Sequence, residues 1–411
     1  MKDEKIVIIG SSVAAISAIE TIRSKDKKVK ITVITKDKEI SYSKPLISYL
    51  NISKEQFYYR DKSFFSRNDV KMFISEAIRI KNNSVILKDG KDIEFSKLLL
   101  AVGGKPIVPN NIKGICGGNV FTLTNFDDAS KIKKYAKNKK SCLIIGCGMI
   151  GIKAAAFLKE LGLKVTIVEL MNRPFGSVLD EVSGKMVADE IRKNTKLYLN
   201  TSVTEIREKE CVISNGERVF VDLVICAIGV TPNQDIAKKS GIKADKGIIV
   251  DSQMMTSKKN IFAAGDCASA FDILKGENRA IPIWPIAYKQ GSIAGDNMIG
   301  INTKYEGGFV MNSVDVFGLP IITLGLSSEI GDEEFVNYDE KNRKYKKYIV
   351  RNDRIIGAIL IGDIDRAGII TGLIKDKVDV SNFKNGLLKE NFGYIYVPKK
   401  YRSKEVIPVE I

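Results

Sequence analysis

The sequence predicts an α/β protein made of two doubly wound parallel sheets, followed by a smaller C-terminal α+β domain. Three observations predict it. Two short apolar runs, starting at Lys5 and Ser141, each end in glycine and lead into a helical pattern. Two further apolar runs, from Leu98 and Leu223, each end in a Gly/Pro turn. The 411 residues are too many for one comfortable core.

Lys5 to Gly10 reads Lys-Ile-Val-Ile-Ile-Gly, a buried strand closing on glycine. Val13, Ile16, Ile19 and Ile22 then recur on one helical face, and a β-rich run covers Val29 to Thr35. This is an opening βαβ unit, in which a pyrophosphate sits on the first helix N-terminus. Its glycine fingerprint is degraded: Gly10-Ser11-Ser12-Val13-Ala14-Ala15 has serine at the second glycine position and alanine at the third. The acid that usually ends the second strand is replaced by Thr35-Lys36. Taken alone, the stretch fits a structural turn as well as a nucleotide site.

The second copy is complete. After the strand Ser141 to Ile145 comes Gly146-Cys147-Gly148-Met149-Ile150-Gly151, a full G-x-G-x-x-G, then a helix from Ile152 to Leu161 and a strand ending at Glu169. Glu169 lies roughly 20 residues past Gly148, where a carboxylate accepts from both ribose hydroxyls. It repels a 2′-phosphate, so NADH is expected over NADPH, although Arg173 stands close in sequence.

Leu98 to Pro106 and Leu223 to Pro232 are the glycine-ended strands that follow, each preceded by a turn (Lys88-Asp89-Gly90 and Ser214-Asn215-Gly216). Each half thus has the same order of fingerprint, hairpin and glycine-ended strand, and Asn260 to Asp266 adds a strand closing on Gly-Asp. The expected domains are 1–110 with 232–303, an inserted 111–231, and 304–411.

Composition narrows the chemistry. With 44% apolar and 28% charged residues the chain is globular rather than disordered. There is no histidine, which removes a histidine base, a histidine metal ligand and a Ser–His triad. The six cysteines are widely spaced and form no Cys-x-x-Cys, so zinc, an iron–sulfur cluster and a redox dithiol are not expected, nor any other metal. The chemistry then falls to a cofactor. No apolar run is long enough to span a membrane, and no signal peptide opens the chain, so a cytoplasmic location is expected. The net charge of +16 reads either as solvated lysines or as attraction to an acidic partner. No nucleic-acid-binding signature accompanies it.

With these blocks in this order, the chain resembles the flavoprotein reductases that carry two Rossmann-like dinucleotide-binding folds, the pyridine nucleotide–disulfide reductases and their dithiol-free relatives. The resemblance covers nearly the whole chain and rests on Gly146 to Gly151, Ala101 to Pro106, Ile261 to Asp266 and Trp284 to Gly291. It implies FAD in the first fold and NADH in the inserted one. Where disulfide and NADH-oxidase members carry a reactive cysteine, this chain has Lys44, followed by Pro45. That closes the thiol route and looks like NADH:rubredoxin reductases, nitrite-reductase flavin domains and reductases that accompany carbon monoxide dehydrogenase.

Carried over position by position, the resemblance implies that FAD is held by Gly10, Ser11, Ser12, Val13, Ala14, Thr35, Lys36, Lys44, Pro45, Ala77, the turn Ala101-Val102-Gly103, Gly265, Asp266 and Trp284. NADH is held by Gly146, Cys147, Gly148, Met149, Ile150, Gly151, Glu169 and Gly229. Relatives that reduce small ferredoxins keep a lysine matching Tyr49 and a glutamate matching Lys153, paired beside the flavin. Here the helix carries Lys153, either an ordinary solvated lysine or a cation that stabilises the reduced flavin. Lys44, Tyr49 and Lys153 are therefore the catalytic candidates.

No thiol is placed to receive electrons, so an external acceptor is implied. The expected partner is an acidic ferredoxin- or rubredoxin-type iron–sulfur carrier; oxygen, or a role as the flavin subunit of a larger complex, stands as the alternative. A homodimer is left open. The run Lys341, Arg343, Lys344, Tyr345, Lys346, Lys347, Tyr348 is either a solvated edge strand or a docking patch for that carrier.

Overall fold

The computed structural model describes residues 4–47 and 57–398. Tyr49, one of the three catalytic candidates, lies outside the described residues. The chain divides into two compact units, Met1–Leu170 with Asn200–Gly308, and Met171–Leu199 with Phe309–Ile411.

In the first unit, β1 (Lys5–Ile9) leads into α1 (Val13–Lys25), β2 (Lys30–Thr35), β3 (Val70–Ile74) and β4 (Lys97–Leu100). A second cycle follows as β5 (Val120–Phe121), β6 (Ser141–Ile145), α2 (Met149–Glu160), β7 (Lys164–Val168) and β8 (Leu223–Cys226). Strand β9 (Ile261–Ala263) and α3 (Trp284–Met298) complete it. One sheet is parallel throughout in the order β9-β4-β1-β2-β3. In the other, β7-β6-β8-β5 are parallel neighbours. Ile6, Val7, Ile8, Leu143 and Ile144 are buried, and burial of both faces explains why these strands read as continuous apolar runs rather than alternating ones.

The two cycles match in register as well as in order. Ile9 pairs with Ile34 and Leu100, and Ile145 pairs with Val168 and Cys226. Each also carries a three-stranded antiparallel meander, Ala77–Lys81 through Asp92–Glu94 in the first and Val203–Ile206 through Arg218–Phe220 in the second. The strands Gly104–Pro106 and Val230–Pro232, which follow the two glycine-ended strands, pair antiparallel with each other.

Helix α3 crosses α1 at close range. A methyl group on Gly291 would lie 2.2 Å from the Ala14 carbonyl oxygen, and one on Gly295 would lie 2.8 Å from that of Ala18. Ser17 donates to the Tyr288 carbonyl at 2.7 Å across the same contact. The Trp284 to Gly291 block is thus read as much by backbone approach as by its aromatic head.

The second unit is an antiparallel sheet. Strands β10 (Met311–Val316), β11 (Leu319–Gly325), β12 (Glu333–Asp339), β13 (Lys344–Arg351) and β14 (Arg354–Ile361) lie in the order β10-β11-β14-β13-β12, and α4 (Ala367–Lys375) packs on β14. The helix Glu181–Asn194 belongs to this unit, capped at its N-terminus by Asp180.

The basic run of β13 is neither a solvated strand nor a free docking patch. Lys347 is buried and lies 3.3 Å from Asp180 and 2.9 Å from Glu334. Tyr345 is buried and donates to Asp180 at 2.6 Å. Lys346 pairs with Asp363 at 2.7 Å, and Arg343 pairs with Glu190. A strand's period of two puts Tyr345 and Lys347 on one face and Lys346 and Tyr348 on the other, and both faces are covered. Only Lys341, Arg343 and Lys344 stay exposed. Among the described residues, no helix is long and apolar enough to cross a membrane.

Candidate functional site

The first fold assembles its site around the end of β1. Gly10 has φ +116°, and a methyl group there would lie 2.2 Å from the Ala101 carbonyl oxygen. This turn therefore requires glycine even though the rest of the fingerprint has drifted. Ser12 caps α1 with extended backbone, and Val13 and Ala14 begin its first turn, whose free N–H groups and dipole favour an anion. Ser11 Oγ and Thr35 Oγ1 lie 3.1 Å apart, and Ser75 donates to the Thr35 carbonyl at 2.8 Å, which brings the corner before Ala77 to the end of β2. Lys36 is exposed.

Four segments converge beyond that turn. Lys44 and Pro45 form the short 3-10 turn Lys44–Leu46. The Lys44 Nζ lies 3.4 Å from where a Gly103 methyl would stand, so it reaches the Ala101-Val102-Gly103 turn. A methyl on Gly265 would lie 3.3 Å from Ala14 Cβ, and one on Gly104 would lie 3.9 Å from Asp266 Cβ. Burial pushes the Asp266 carboxyl above its ordinary pKa, opposed by the charge of Lys44. Trp284 opens α3 and meets Tyr59 edge-to-face at 5.2 Å. Gln290 lies inside the Trp284 to Gly291 block. Its Oε1 accepts from the Gly265 N–H at 2.8 Å and holds the Gly-Asp turn in place.

In the second fold Gly146 has φ +101°, and a methyl there would lie 2.6 Å from the Ala227 carbonyl oxygen, the counterpart of the Gly10 contact. Over Gly148, by contrast, no heavy atom comes within 4 Å of an added methyl. Met149 and Ile150 begin α2, and Gly151 lies against Gly146. Glu169 Oε2 accepts from the Cys147 N–H at 2.6 Å. Gly229, at φ +124°, sits in the turn after β8. The open space over Gly148 and the two helix starts fit a pyrophosphate in each fold, and among the described residues the buried Ser41 Oγ and Gln234 Oε1 have no hydrogen-bond partner.

Lys153 links the two folds. From the first turn of α2 its Nζ donates to the Pro45 carbonyl at 3.3 Å. Partial burial lowers its pKa from the ordinary lysine value. It is therefore not an ordinary solvated helix lysine.

Five of the six cysteines are poor redox groups. Cys142, Cys147, Cys211, Cys226 and Cys267 are buried, and Cys116 is exposed. Burial raises the thiol pKa of Cys142 and Cys211 to about 12 and of Cys267 to about 11, and raises those of Cys147 and Cys226 as well. These five stay protonated at neutral pH.

Comparison with known proteins agrees with this geometry. The family described as pyridine nucleotide-disulphide oxidoreductase matches residues 4–291, and the rubredoxin NAD+ reductase C-terminal domain matches residues 311–378. The chain is 31% identical over 396 residues to the NADH-dependent phenylglyoxylate dehydrogenase subunit epsilon of Aromatoleum evansii, covering 93% of this chain and 94% of that protein. It is 31% identical to the NADH-rubredoxin oxidoreductase of Clostridium acetobutylicum over 371 residues, covering 89% and 92%. The crystal structure of the NADH:rubredoxin oxidoreductase from that organism matches with a TM-score of 0.75 at 28% identity, over 92% of this chain and 97% of that one. The NADH oxidase of Methanocaldococcus jannaschii is 33% identical over 323 residues, covering 73% and 71%. The chain belongs to the pyridine nucleotide-disulphide oxidoreductase family, as an oxidoreductase that uses FAD and NADH.

Proposed function

We propose that the chain draws electrons from NADH and delivers them to a small iron–sulfur protein of rubredoxin or ferredoxin type. One observation carries this reading: Lys44, not a cysteine, stands beside the Gly103 turn and Asp266, so no thiol is built in to receive electrons. The match of residues 311–378 to a rubredoxin reductase C-terminal domain supports it.

The chemistry that FAD supplies when bound is acceptance of a hydride from NADH and release of the electrons one at a time. The residues supply placement and charge. The start of α1 and the turn at Ala101-Val102-Gly103 hold one pyrophosphate and the nearby sugar, with Lys44 and Asp266 flanking them. The start of α2 holds the other pyrophosphate, and Glu169 holds the adenosine ribose of NADH. Arg173 is occupied elsewhere, since its guanidinium donates to Leu179 O at 2.8 Å, Asn172 Oδ1 at 2.9 Å and Gly176 O at 3.3 Å. Glu169→Ala is expected to weaken NADH binding by about 1–3 kcal/mol, the range for a lost charge-assisted hydrogen bond. Comparable kcat/KM for NADH and NADPH in the unaltered protein would overturn the ribose assignment.

Lys153 places a half-buried cation at the junction of the two folds, where negative charge develops on hydride transfer. Because its pKa is lowered, its ammonium is lost on alkaline titration earlier than that of an ordinary lysine. Reduction of the flavin by NADH should therefore slow at a pH below the usual lysine range. Lys153→Met should be slower at pH 7 by about tenfold to a hundredfold and should no longer show that alkaline limb. A stopped-flow pH series on both proteins measures this, and an alkaline limb that survives in the methionine variant excludes Lys153.

The reading as a whole is tested by mixing NADH-reduced protein, without oxygen, with rubredoxin, with a [2Fe–2S] ferredoxin, and separately with oxygenated buffer. Reoxidation by an iron–sulfur protein should be at least about tenfold faster than by oxygen; the reverse order would make the chain an NADH oxidase. The relative from Aromatoleum evansii is by name one subunit of an NADH-dependent dehydrogenase, which favours a second reading as the NADH-oxidising subunit of a larger complex. Fast reduction by NADH with slow transfer to every soluble acceptor would favour that reading.

A further inference from the structure

We propose that Tyr42 is a positioning residue for Lys44, fixing the loop that carries Lys44 to a helix of the inserted fold. This deepens the reading of Lys44 as part of the flavin site and rests on it.

Two contacts with the inserted fold grip that loop, residues 41–47. One is the donation from Lys153 Nζ to the Pro45 carbonyl at 3.3 Å. The other lies at Tyr42, which is buried and whose hydroxyl accepts from the Phe126 N–H at 3.4 Å. Phe126 is the first residue of the helix Phe126–Ala136, and its N–H is one of the donors that a helix start leaves without an intrahelical partner. The helix's own cap, Asn125, serves the Asp128 N–H at 2.8 Å. The Phe126 N–H is served from the first fold instead. The rings add to the hold. Those of Tyr42 and Phe126 lie 5.9 Å apart, and Phe57 meets Phe126 edge-to-face at 6.0 Å. Tyr42 and Phe57 come from the two sides of one small ladder, since the Ser43 N–H donates to the Phe57 carbonyl at 2.7 Å and Tyr42 pairs with Tyr58.

Lys44 stands between the two grips. Its Nζ reaches the turn at Gly103, and its charge acts on Asp266. Pinning the chain at Tyr42 and at Pro45 removes backbone freedom that would let that ammonium stray. The bend ahead of Tyr42 is itself strained. The buried Ser41 takes φ +63°, a conformation that a residue other than glycine adopts at a cost. Its carbonyl accepts from the Tyr59 N–H at 2.7 Å and from the Arg60 N–H at 3.3 Å. Such strain persists where the surroundings over-determine it, and the Phe126 contact is part of what does so. Burial, joined by the negative charge of Asp37, raises the Tyr42 phenol pKa, so the hydroxyl keeps its proton and stays a neutral acceptor. Tyr42 thus acts on the flavin site through the loop and not by its own charge.

The test compares the unaltered full-length, flavin-loaded chain with Tyr42→Phe, Lys44→Met and the double variant, each mixed with NADH in a stopped-flow instrument without oxygen. Tyr42→Phe removes only the hydroxyl and should slow flavin reduction at saturating NADH by roughly 2- to 10-fold, the span of one net hydrogen bond. The NADH concentration at half-saturation should stay within about twofold, because the nucleotide contacts are untouched. In the Lys44→Met background the same substitution should add less than about 1.5-fold, since two residues that act as one unit are not additive. Amide hydrogen exchange gives a reading independent of turnover: the segments holding Phe126 and Ser43 should exchange at least about threefold faster in Tyr42→Phe. Phe126→Leu, which removes the ring and leaves the hydroxyl, should show the same dependence on Lys44, and it decides the question if Tyr42→Phe fails to hold FAD. A slowing that keeps its full size in the Lys44→Met background overturns the proposal, as does a Tyr42→Phe protein whose flavin reduction or amide exchange matches the unaltered chain. Lys44→Met that is reduced as fast as the unaltered chain overturns the placing of Lys44 at the flavin and the proposal with it, a result distinguishable from the others.

Discussion

Replacing Lys347 with glutamate is expected to destabilise the C-terminal unit by roughly 3–5 kcal/mol, the cost of breaking a buried ion pair by removing one partner. Lys347 is 8% exposed and is the cation between Asp180 and Glu334. Reversal would set three carboxylates against one another, and Tyr345 would have to share Asp180 with that repulsion. Asp180 also caps the helix Glu181–Asn194 by accepting from the Ser183 N–H at 2.9 Å, so the damage spreads to a helix start worth about 1 kcal/mol. A fall of about 10–20 °C in the thermal midpoint follows from the size of the loss. Lys341→Glu, an exposed position in the same run, should stay within about 0.5 kcal/mol. Melting curves that place both variants at the same midpoint would show that the Asp180–Lys347 pairing carries no stability.

That contrast shows what a sequence conceals. Lys344 to Tyr348 of the basic run are strand, and Lys341 to Arg343 form the turn before it. Yet a lysine on a strand reads as solvated, and whether its ammonium meets Asp180 and Glu334 depends on segments over a hundred residues away in the chain or on the neighbouring strand. The two dinucleotide folds were far more legible, because their signals are local. A parallel strand covered on both faces is apolar throughout, as in Ile6 to Ile9 and Leu143 to Ile145. The first glycine of each fingerprint is forced by a positive φ and by a carbonyl oxygen under 3 Å from an added methyl. Lys153 was visible as a cation after a fingerprint, but its contact with the Pro45 carbonyl is a property of the folded chain.

Adding side chains at two glycines of one fingerprint should separate packing from ligand binding. At Gly151 a methyl would lie 2.1 Å from the Gly146 carbonyl oxygen and 3.5 Å from Ile144 Cγ2, so any side chain must push α2 away from β6. At Gly148 no described residue lies within 4 Å of that methyl, and the proposed nucleotide would fill the space. Gly151→Val is therefore expected to lower both the thermal midpoint and the efficiency of flavin reduction by NADH, the latter by a hundredfold or more, about 3 kcal/mol. Gly148→Ala should leave the midpoint within about 1 °C, since it creates no clash and removes only some backbone freedom from the unfolded chain, and should still lose about tenfold or more in NADH efficiency. Both variants should stay yellow and bleach with dithionite as the unaltered protein does, because the first fold and its Gly10 turn are untouched. NADH reduction that survives Gly148→Ala unchanged would mean that no pyrophosphate rests over that glycine, and the site would have to be rebuilt around a different helix start.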